Sequence, residues 1–325
     1  AERSTQRGCK MKKDSISTKS ASPRRRKRSG NFFTKHATPI LLAPYALLFI
    51  IFIVIPTVSA MGLSFTYYNT IEAPRFTGFD NFVDLFTNDE VFMQHILPNT
   101  VVYAICVGIG GYLLAFLLAW ALSQITKGPR TILALIMYSP SMTGGVLLST
   151  VWSVIFNGSE SGYLNYALMK LGIIDTPVVW LSSEKYLLAI VIIVTLWSSM
   201  GIGFLSMLSG ILNVNEELYE AAYIDGVKNR FQEVIYITIP SAKPQMLFGA
   251  VMAIVNTFQS AGIGTALSGS NPTPGYSASL IVSHIEDYGF LRYEMGYAAA
   301  ISVVLLIGIY LMSKGVNKLL GSRDE

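Results

Sequence analysis

The sequence predicts an all-α polytopic membrane protein with six transmembrane helices and both termini on the cytoplasmic side. Three observations lead there. Of 325 residues, 52% are hydrophobic and 14% charged, and mean hydropathy is +0.48; soluble chains carry about 25% charged residues. Six apolar stretches are long enough to cross a bilayer and contain no Lys, Arg, Asp or Glu. The positive charges outside them gather on one side, which sets orientation.

Taken in chain order, residues 1–38 form a basic cytoplasmic tail. The first 36 residues hold 12 of the 24 Lys+Arg against two acids, Glu2 and Asp14. Met11-Lys12-Lys13 reads as a start, so residues 1–10 are set aside from the functional reading. The run from Arg24 to Arg28 resembles a nucleic-acid patch, but beside a membrane span it fixes topology and meets anionic headgroups instead. A spanning helix needs about 20 apolar residues, and the stretches that qualify are 40–65, 99–122, 131–156, 187–212, 245–267 and 295–313. Pro44, Pro56 and Pro140 fall inside them, as membrane helices allow. The first apolar run is too long for a cleavable signal peptide.

Loops 66–98 and 157–186 are expected outside, each with a small helix, and 268–294 is rich in turn-formers from Gly269 to Gly275. Between the fourth and fifth spans, 215–240 reads as two short cytoplasmic helices. Asn215 caps the first, with Glu216 and Glu217 at its positive end. Ala221 and Ala222 offer a small-residue surface, and Gly226 supplies the turn. The second helix is expected to pack through Phe231, Val234 and Ile235 and to stop at Pro240. Residues 321–325 are a C-terminal tail; 39–320 form one membrane domain. Only Arg75, Lys170, Lys185 and Arg292 of the 24 basic residues fall on the outer side of this scheme.

Charge-free spans disfavour a proton- or sodium-coupled carrier, which needs ionisable groups at the midplane. The three histidines, His36, His95 and His284, read as solvated loop residues, and no zinc, nucleophile or P-loop pattern occurs. Cys9 and Cys106 form neither a metal pair nor a disulfide framework. The spans do hold neutral polar and aromatic residues: Tyr138, Trp152, Trp197, Ser199, Asn256, Phe258 and Gln259. Asn256 and Gln259, three apart on one helical face, serve either a polar pathway or interhelical bonding. Amides, hydroxyls and aromatic faces suit a neutral, hydroxyl-rich solute better than a phosphate.

Glu220-Ala221-Ala222, Asp225-Gly226 and Ile237-Thr238-Ile239-Pro240 resemble the EAA loop of ATP-binding-cassette (ABC) importer permeases, with ten residues between Gly226 and Ile237 where nine is commoner. Thr77 to Phe82, Phe156-Asn157-Gly158, Gly162 to Asn165, Trp197 and Gly296 to Ser302 extend the resemblance to the maltose-type oligosaccharide permeases. That resemblance implies an ABC type I importer permease fold in a bacterial cytoplasmic membrane. It implies that the EAA loop, through Glu220, Ala221, Ala222, Asp225, Gly226 and Pro240, seats in cytosolic ATPase subunits. It also implies a second homologous permease, two such ATPases, and an external or periplasmic solute-binding protein delivering a sugar. ATP and Mg would sit on the ATPases, with no cofactor and no nucleic acid on this chain, which is not itself an enzyme. Tyr138, Trp152, Trp197, Ser199, Asn256, Phe258 and Gln259 become the expected substrate pathway. The alternatives are an ABC permease for a non-sugar solute, a secondary carrier, and a membrane enzyme.

Overall fold

The protein, seen in a computed structural model, is described over residues 37–259 and 262–320. Of the expected tail at 1–38, residues 1–36 lie outside the described residues, as does the expected tail at 321–325, while Ala37 and Thr38 belong to a helix. The chain divides into two units, residues 1–54 and 55–325. The first unit contributes α1 (Ala37–Phe49) and a π-helical turn, Ile50–Val54. Pro44 lies inside α1, and Tyr45 stacks on Phe49 with ring centroids 6.2 Å apart.

The second unit is helical apart from one antiparallel ribbon, β1 (Thr66–Tyr67) and β2 (Arg75–Phe76), with Thr66 opposite Phe76. It opens with α2 (Ile55–Leu63), and α3 (Asp80–Thr87) follows the ribbon. A continuous helical run comes next: a π turn Phe92–Ile96, α4 (Leu97–Tyr103), a second π turn Ala104–Ile109, and α5 (Gly110–Ser123). Then come α6 (Lys127–Tyr138), α7 (Gly145–Ile155), α8 (Tyr163–Lys170), α9 (Leu187–Ser198) and α10 (Ile202–Leu212). Among the described residues three helices are long and apolar enough to cross a membrane: Leu41–Leu63, Phe92–Ser123 and Met295–Leu319. Two bent pairs bring this to five if each is one span: Lys127–Met142 with Leu147–Ile155, and Leu187–Ser198 with Ile202–Leu212.

The bends are where the structure departs from the expected straight spans. The third stretch folds back by 102° and the fourth bends by 46°. In the third, Pro140 removes a backbone donor, the chain tightens into a 3-10 turn, Ser139–Met142, and Thr143 turns extended. In the fourth, Ser198 and Ser199 bond back to carbonyls of their own helix, a habit that bends helices, and the next helix starts after Gly201. The fifth stretch is likewise two helices, α14 (Lys243–Gln259) and α15 (Ile263–Ser268), with Ser260 outside the described residues.

Between α10 and α14 lie α11 (Glu216–Ile224), α12 (Arg230–Glu233), a π turn Val234–Thr238 and α13 (Ile239–Ser241). The chain ends with α16 (Ile281–Glu286), a π turn Asp287–Leu291 and α17 (Met295–Leu320). Helices α5, α10 and α14 pack closely because small residues meet: a β-carbon on Gly203 would lie 3.2 Å from the Gly249 carbonyl oxygen. In membranes such small-residue contacts replace the hydrophobic drive. Phe116, Phe204, Met207 and Met246 fill the space around them. A second cluster wraps α9 with Tyr103, Leu148 and Phe156.

The loops are tied down by buried polar groups. Asn165, fully buried, donates to the carbonyls of Asn157, Ser159 and Val178 and accepts from Val178 N–H and the Trp180 ring N–H. Contrary to expectation, His284 is not solvated. It is 5% exposed and its Nε2 lies 3.0 Å from Asp89 Oδ2, which also accepts from the Tyr297 hydroxyl at 2.9 Å. Burial pushes the Asp89 carboxyl up, but the bonds from His284, Phe92 N–H and Tyr297 outweigh it and hold the group down at about 2. A depressed carboxylate stabilises the fold above its unfolded value and loses that contribution as pH falls through the folded one. Asp89→Ala, leaving buried donors unpaired, is therefore expected to cost about 1–3 kcal/mol at neutral pH. Melting curves should show the gap to the native protein closing as pH falls from about 4 toward about 2.

Candidate functional site

Three helix breaks meet at one place. A cavity of about 660 Å³ is lined by Tyr138, Pro140, Ser141 and Thr143 from the first break. Ser198, Ser199 and Gly201 come from the second, and Asn256, Thr257 and Gly262 flank the third. Its size falls within the range of small-molecule sites. Among the described residues that line it there is no Lys, Arg, His, Asp or Glu. Serine hydroxyls at the breaks bond back to carbonyls of the preceding turn: Ser141 Oγ donates to Tyr138 O at 2.7 Å, and Ser199 Oγ donates at 2.7 Å to Leu196 O, which also accepts from Ser199 N–H. Helices α7 and α10 both begin here on glycine, Gly144 and Gly201, so their first turns have no side-chain cap. Such helix starts present N–H donors to an oxygen-rich solute.

Of the expected pathway residues, the fold brings Tyr138, Ser199 and Asn256 to the cavity wall. Asn256 approaches Gly201 across it: a β-carbon there would meet the Asn256 amide nitrogen at 3.7 Å. Phe258, Trp197 and Trp152 do not line it. Successive helical residues turn by about 100°, so Phe258, two positions on, points about 200° away from Asn256. The same rotation puts Thr195 and Ser198 of α9 on the cavity while Trp197 is 57% exposed. Trp152 meets Trp197 edge-on at 6.4 Å and stacks on Phe156 at 5.6 Å, an aromatic wall elsewhere in the bundle. Gln259 ends α14, and its side chain is not among those described. Sequence reading missed Tyr112, whose buried hydroxyl has no hydrogen-bond partner among the described residues and which lines the cavity. Its signal was an aromatic hydroxyl directly after Gly110-Gly111 in an apolar span.

The hairpin between α10 and α14 forms the second candidate element. Asn215 caps α11 as expected, its Oδ1 accepting from Glu217 N–H at 3.2 Å. Gly226 turns the chain at φ +99°, which side-chain-bearing residues resist. Glu220, Ala221, Asp225 and Gly226 are exposed and Ala222 is half-buried. Packing of the second helix differs from expectation. Phe231 and Ile235 are exposed, and Glu233, Ile237 and Thr238 are buried instead, with Val234 half-buried against the core. The cause is the π turn at Val234–Thr238, where i→i+5 pitch takes up one added residue. Pro240, exposed, does not stop that helix. Helical backbone runs on from the π turn through Pro240 in α13, and the break falls at Ala242.

Residues 111–323 match the family described as binding-protein-dependent transport system inner membrane component. An arabinooligosaccharides transport system permease protein of Bacillus subtilis is 32% identical over 90% of this chain and 91% of its own length. The lactose transport system permease protein of Rhizobium radiobacter is 26% identical over 84% and 90% of the two chains. The fold matches a chain from a bacterial ABC transporter that imports the acidic polysaccharide alginate, with TM-score 0.73 and 23% identity over 90% and 98% of the two chains. A helical membrane fold with that likeness, the match over residues 111–323 and the relatedness along nine-tenths of its length lead to one conclusion: the chain belongs to the binding-protein-dependent transport inner membrane family, as a multi-pass permease subunit of an ABC importer in the cytoplasmic membrane and not an ATPase.

Proposed function

We propose that the chain forms, with a second homologous permease, the path by which an ABC importer moves a neutral sugar or oligosaccharide. The observation that carries this reading is the cavity at the helix breaks, whose wall includes hydroxyls, an amide and aromatic groups and, among the described residues, no charged one. Solute and ion sites of membrane transporters form at interrupted helices, where backbone groups can face a cavity instead of lipid. Sugars use what this wall offers: hydroxyl bonds to Asn256, Ser199 and Tyr112, and stacking of C–H faces on Tyr138 and Tyr112. Relatives named for arabinooligosaccharide, lactose and diacetylchitobiose transport support the same class.

In this reading the chain crosses the membrane six times with both termini in the cytoplasm. The membrane domain runs over 39–320 between a basic tail and a short C-terminal one. The exposed face of α11, with Glu220, Ala221, Ala222 and the Asp225-Gly226 turn, seats in one of two cytosolic ATPase subunits, which bind ATP and Mg. The chain itself binds no cofactor. A solute-binding protein delivers the sugar from outside; the alginate importer, solved with its pentasaccharide-bound periplasmic protein, shares the fold.

Transport by the reconstituted complex across a panel of neutral and acidic oligosaccharides tests the substrate class. Asn256→Ala is expected to weaken uptake several-fold, the loss of about 0.5–1.5 kcal/mol for one hydrogen bond, and to reorder preference within the neutral sugars. Phe258→Ala, off the cavity, should leave the preference order unchanged. A lower melting temperature with unchanged preference in Asn256→Ala would mean the amide only holds helices together.

Gly226→Val forces a β-branched residue into a left-handed turn. It is expected to abolish solute-stimulated ATP hydrolysis, and normal transport by that variant would remove the hairpin from the coupling path. Orientation is checked by labelling: Ser270→Cys should react with an impermeant thiol reagent from outside, and Asn229→Cys should not.

A further inference from the structure

The turn that joins α11 to the following helices is a weak mechanical link. Gly226 has no side chain, and nothing lies within 4 Å of where its β-carbon would be. Two side-chain bonds span the hairpin beyond that turn. The Tyr223 hydroxyl donates to Glu233 Oε2 at 2.9 Å, and the hydroxyls of Tyr219 and Thr238 share a bond of 3.1 Å. Tyr219 and Tyr223, four apart, share one face of α11. Glu233 and Thr238 are five apart, and the π turn that begins at Val234 brings them onto one face, with Thr238 Oγ1 bonding back to Glu233 O. The added residue in this loop therefore sets the register in which the two pairs meet.

Glu233 is an unusual choice for a surface hairpin. It is 6% exposed and is the buried acid among the described residues of the hairpin. Burying a carboxylate is costly unless it is paired and hydrogen-bonded. Here Arg230 Nη1 reaches both carboxylate oxygens, at 3.1 and 3.2 Å, and Tyr223 supplies the third bond. From Glu233 the chain runs through the π turn and α13 into α14, which carries Asn256 to the cavity.

We infer that Glu233 is a positioning residue for transport: with Tyr223 it clamps α11 to the 230–241 helices, so that displacement of α11 reaches α14 and the cavity instead of being absorbed by bending at Gly226. The inference rests on the coupling role proposed above for the hairpin. Arg230 holds the carboxylate in its buried seat, and the Tyr219–Thr238 bond aligns the second point of the clamp.

The test measures solute transported per ATP hydrolysed, and melting temperature, in the complete reconstituted complex. Tyr223→Phe removes one hydroxyl and leaves the ring. It is expected to lower the transport-to-hydrolysis ratio roughly two- to tenfold, the loss of a single hydrogen bond, without changing the melting temperature. Glu233→Ala should lower it at least as far, and Glu233→Gln, which keeps an acceptor for Tyr223, should restore much of it. The double variant Tyr223→Phe/Glu233→Ala should be no worse than Glu233→Ala alone, because both remove one bond. An unchanged ratio in Tyr223→Phe, or additive losses in the double variant, would overturn the clamp. So would a lower melting temperature with an unchanged ratio. If Glu233→Ala does not assemble, Tyr223→Phe decides alone. Loss of coupling in Gly226→Val with normal Tyr223→Phe would refute the clamp and keep the hairpin's role. Normal coupling in both would refute the role itself.

Discussion

A peptide group inside a bilayer has no water to bond, so a membrane helix can be interrupted only where something else receives its freed donors and acceptors. The rest of this structure follows from that constraint. The chain breaks helices at Ser139–Thr143 and at Ser198–Gly201, α15 starts anew after Gly262, and residues around all three places line one cavity. The Ser141 and Ser199 hydroxyls bond carbonyls at the first two breaks, and α7 and α10 start on glycine without a side-chain cap. Breaks scattered over the lipid-facing surface would each cost several kcal/mol. Gathered together they set hydroxyls and an amide into the wall of one chamber inside an apolar bundle.

The walls of that chamber are held by close helix contact. Gly203 and Gly249 let α10 and α14 approach backbone to backbone, and these two helices leave the hairpin at its two ends. The hairpin and the chamber are thus linked by two packed rods with little slack between them. Protein interiors this dense do not deform gradually; they shift between packings. A hairpin stiffened by Tyr223–Glu233 and Tyr219–Thr238 suits rods of this kind, because a displacement at one end has few soft places in which to disappear.

Much of this was legible in the sequence, and what was not has physical reasons. Charge-free runs marked the membrane segments, because a charge in lipid is too costly to hide. The Asn215 cap and the Gly226 turn could be read because capping and left-handed turns depend on residues a few positions apart. Hydropathy averages over a window, so it passed over the breaks at Pro140 and Gly201 inside runs that remained apolar. Pathway residues were chosen by local density of polar and aromatic groups. That picked out Asn256, Ser199 and Tyr138, which line the cavity, but also took in Phe258 and Trp197, which helical rotation turns away from it. His284 looked like a loop residue because its partner, Asp89, lies far back in the chain. The packing of Glu233 depended on a π turn, which no periodicity of 3.6 announces.

The uncharged lining of the chamber has a bioenergetic consequence. Moving one elementary charge across a membrane potential exchanges about 2.3 kcal/mol per 100 mV. In the reading proposed above, a neutral sugar passing Tyr138, Ser199 and Asn256 carries no charge through that field, and the described lining of the chamber holds no Lys, Arg, His, Asp or Glu. On that reading this step of the transport cycle is electrically silent, so the resting voltage of the cell does not pull the solute inward and accumulation against a gradient draws on nucleotide energy.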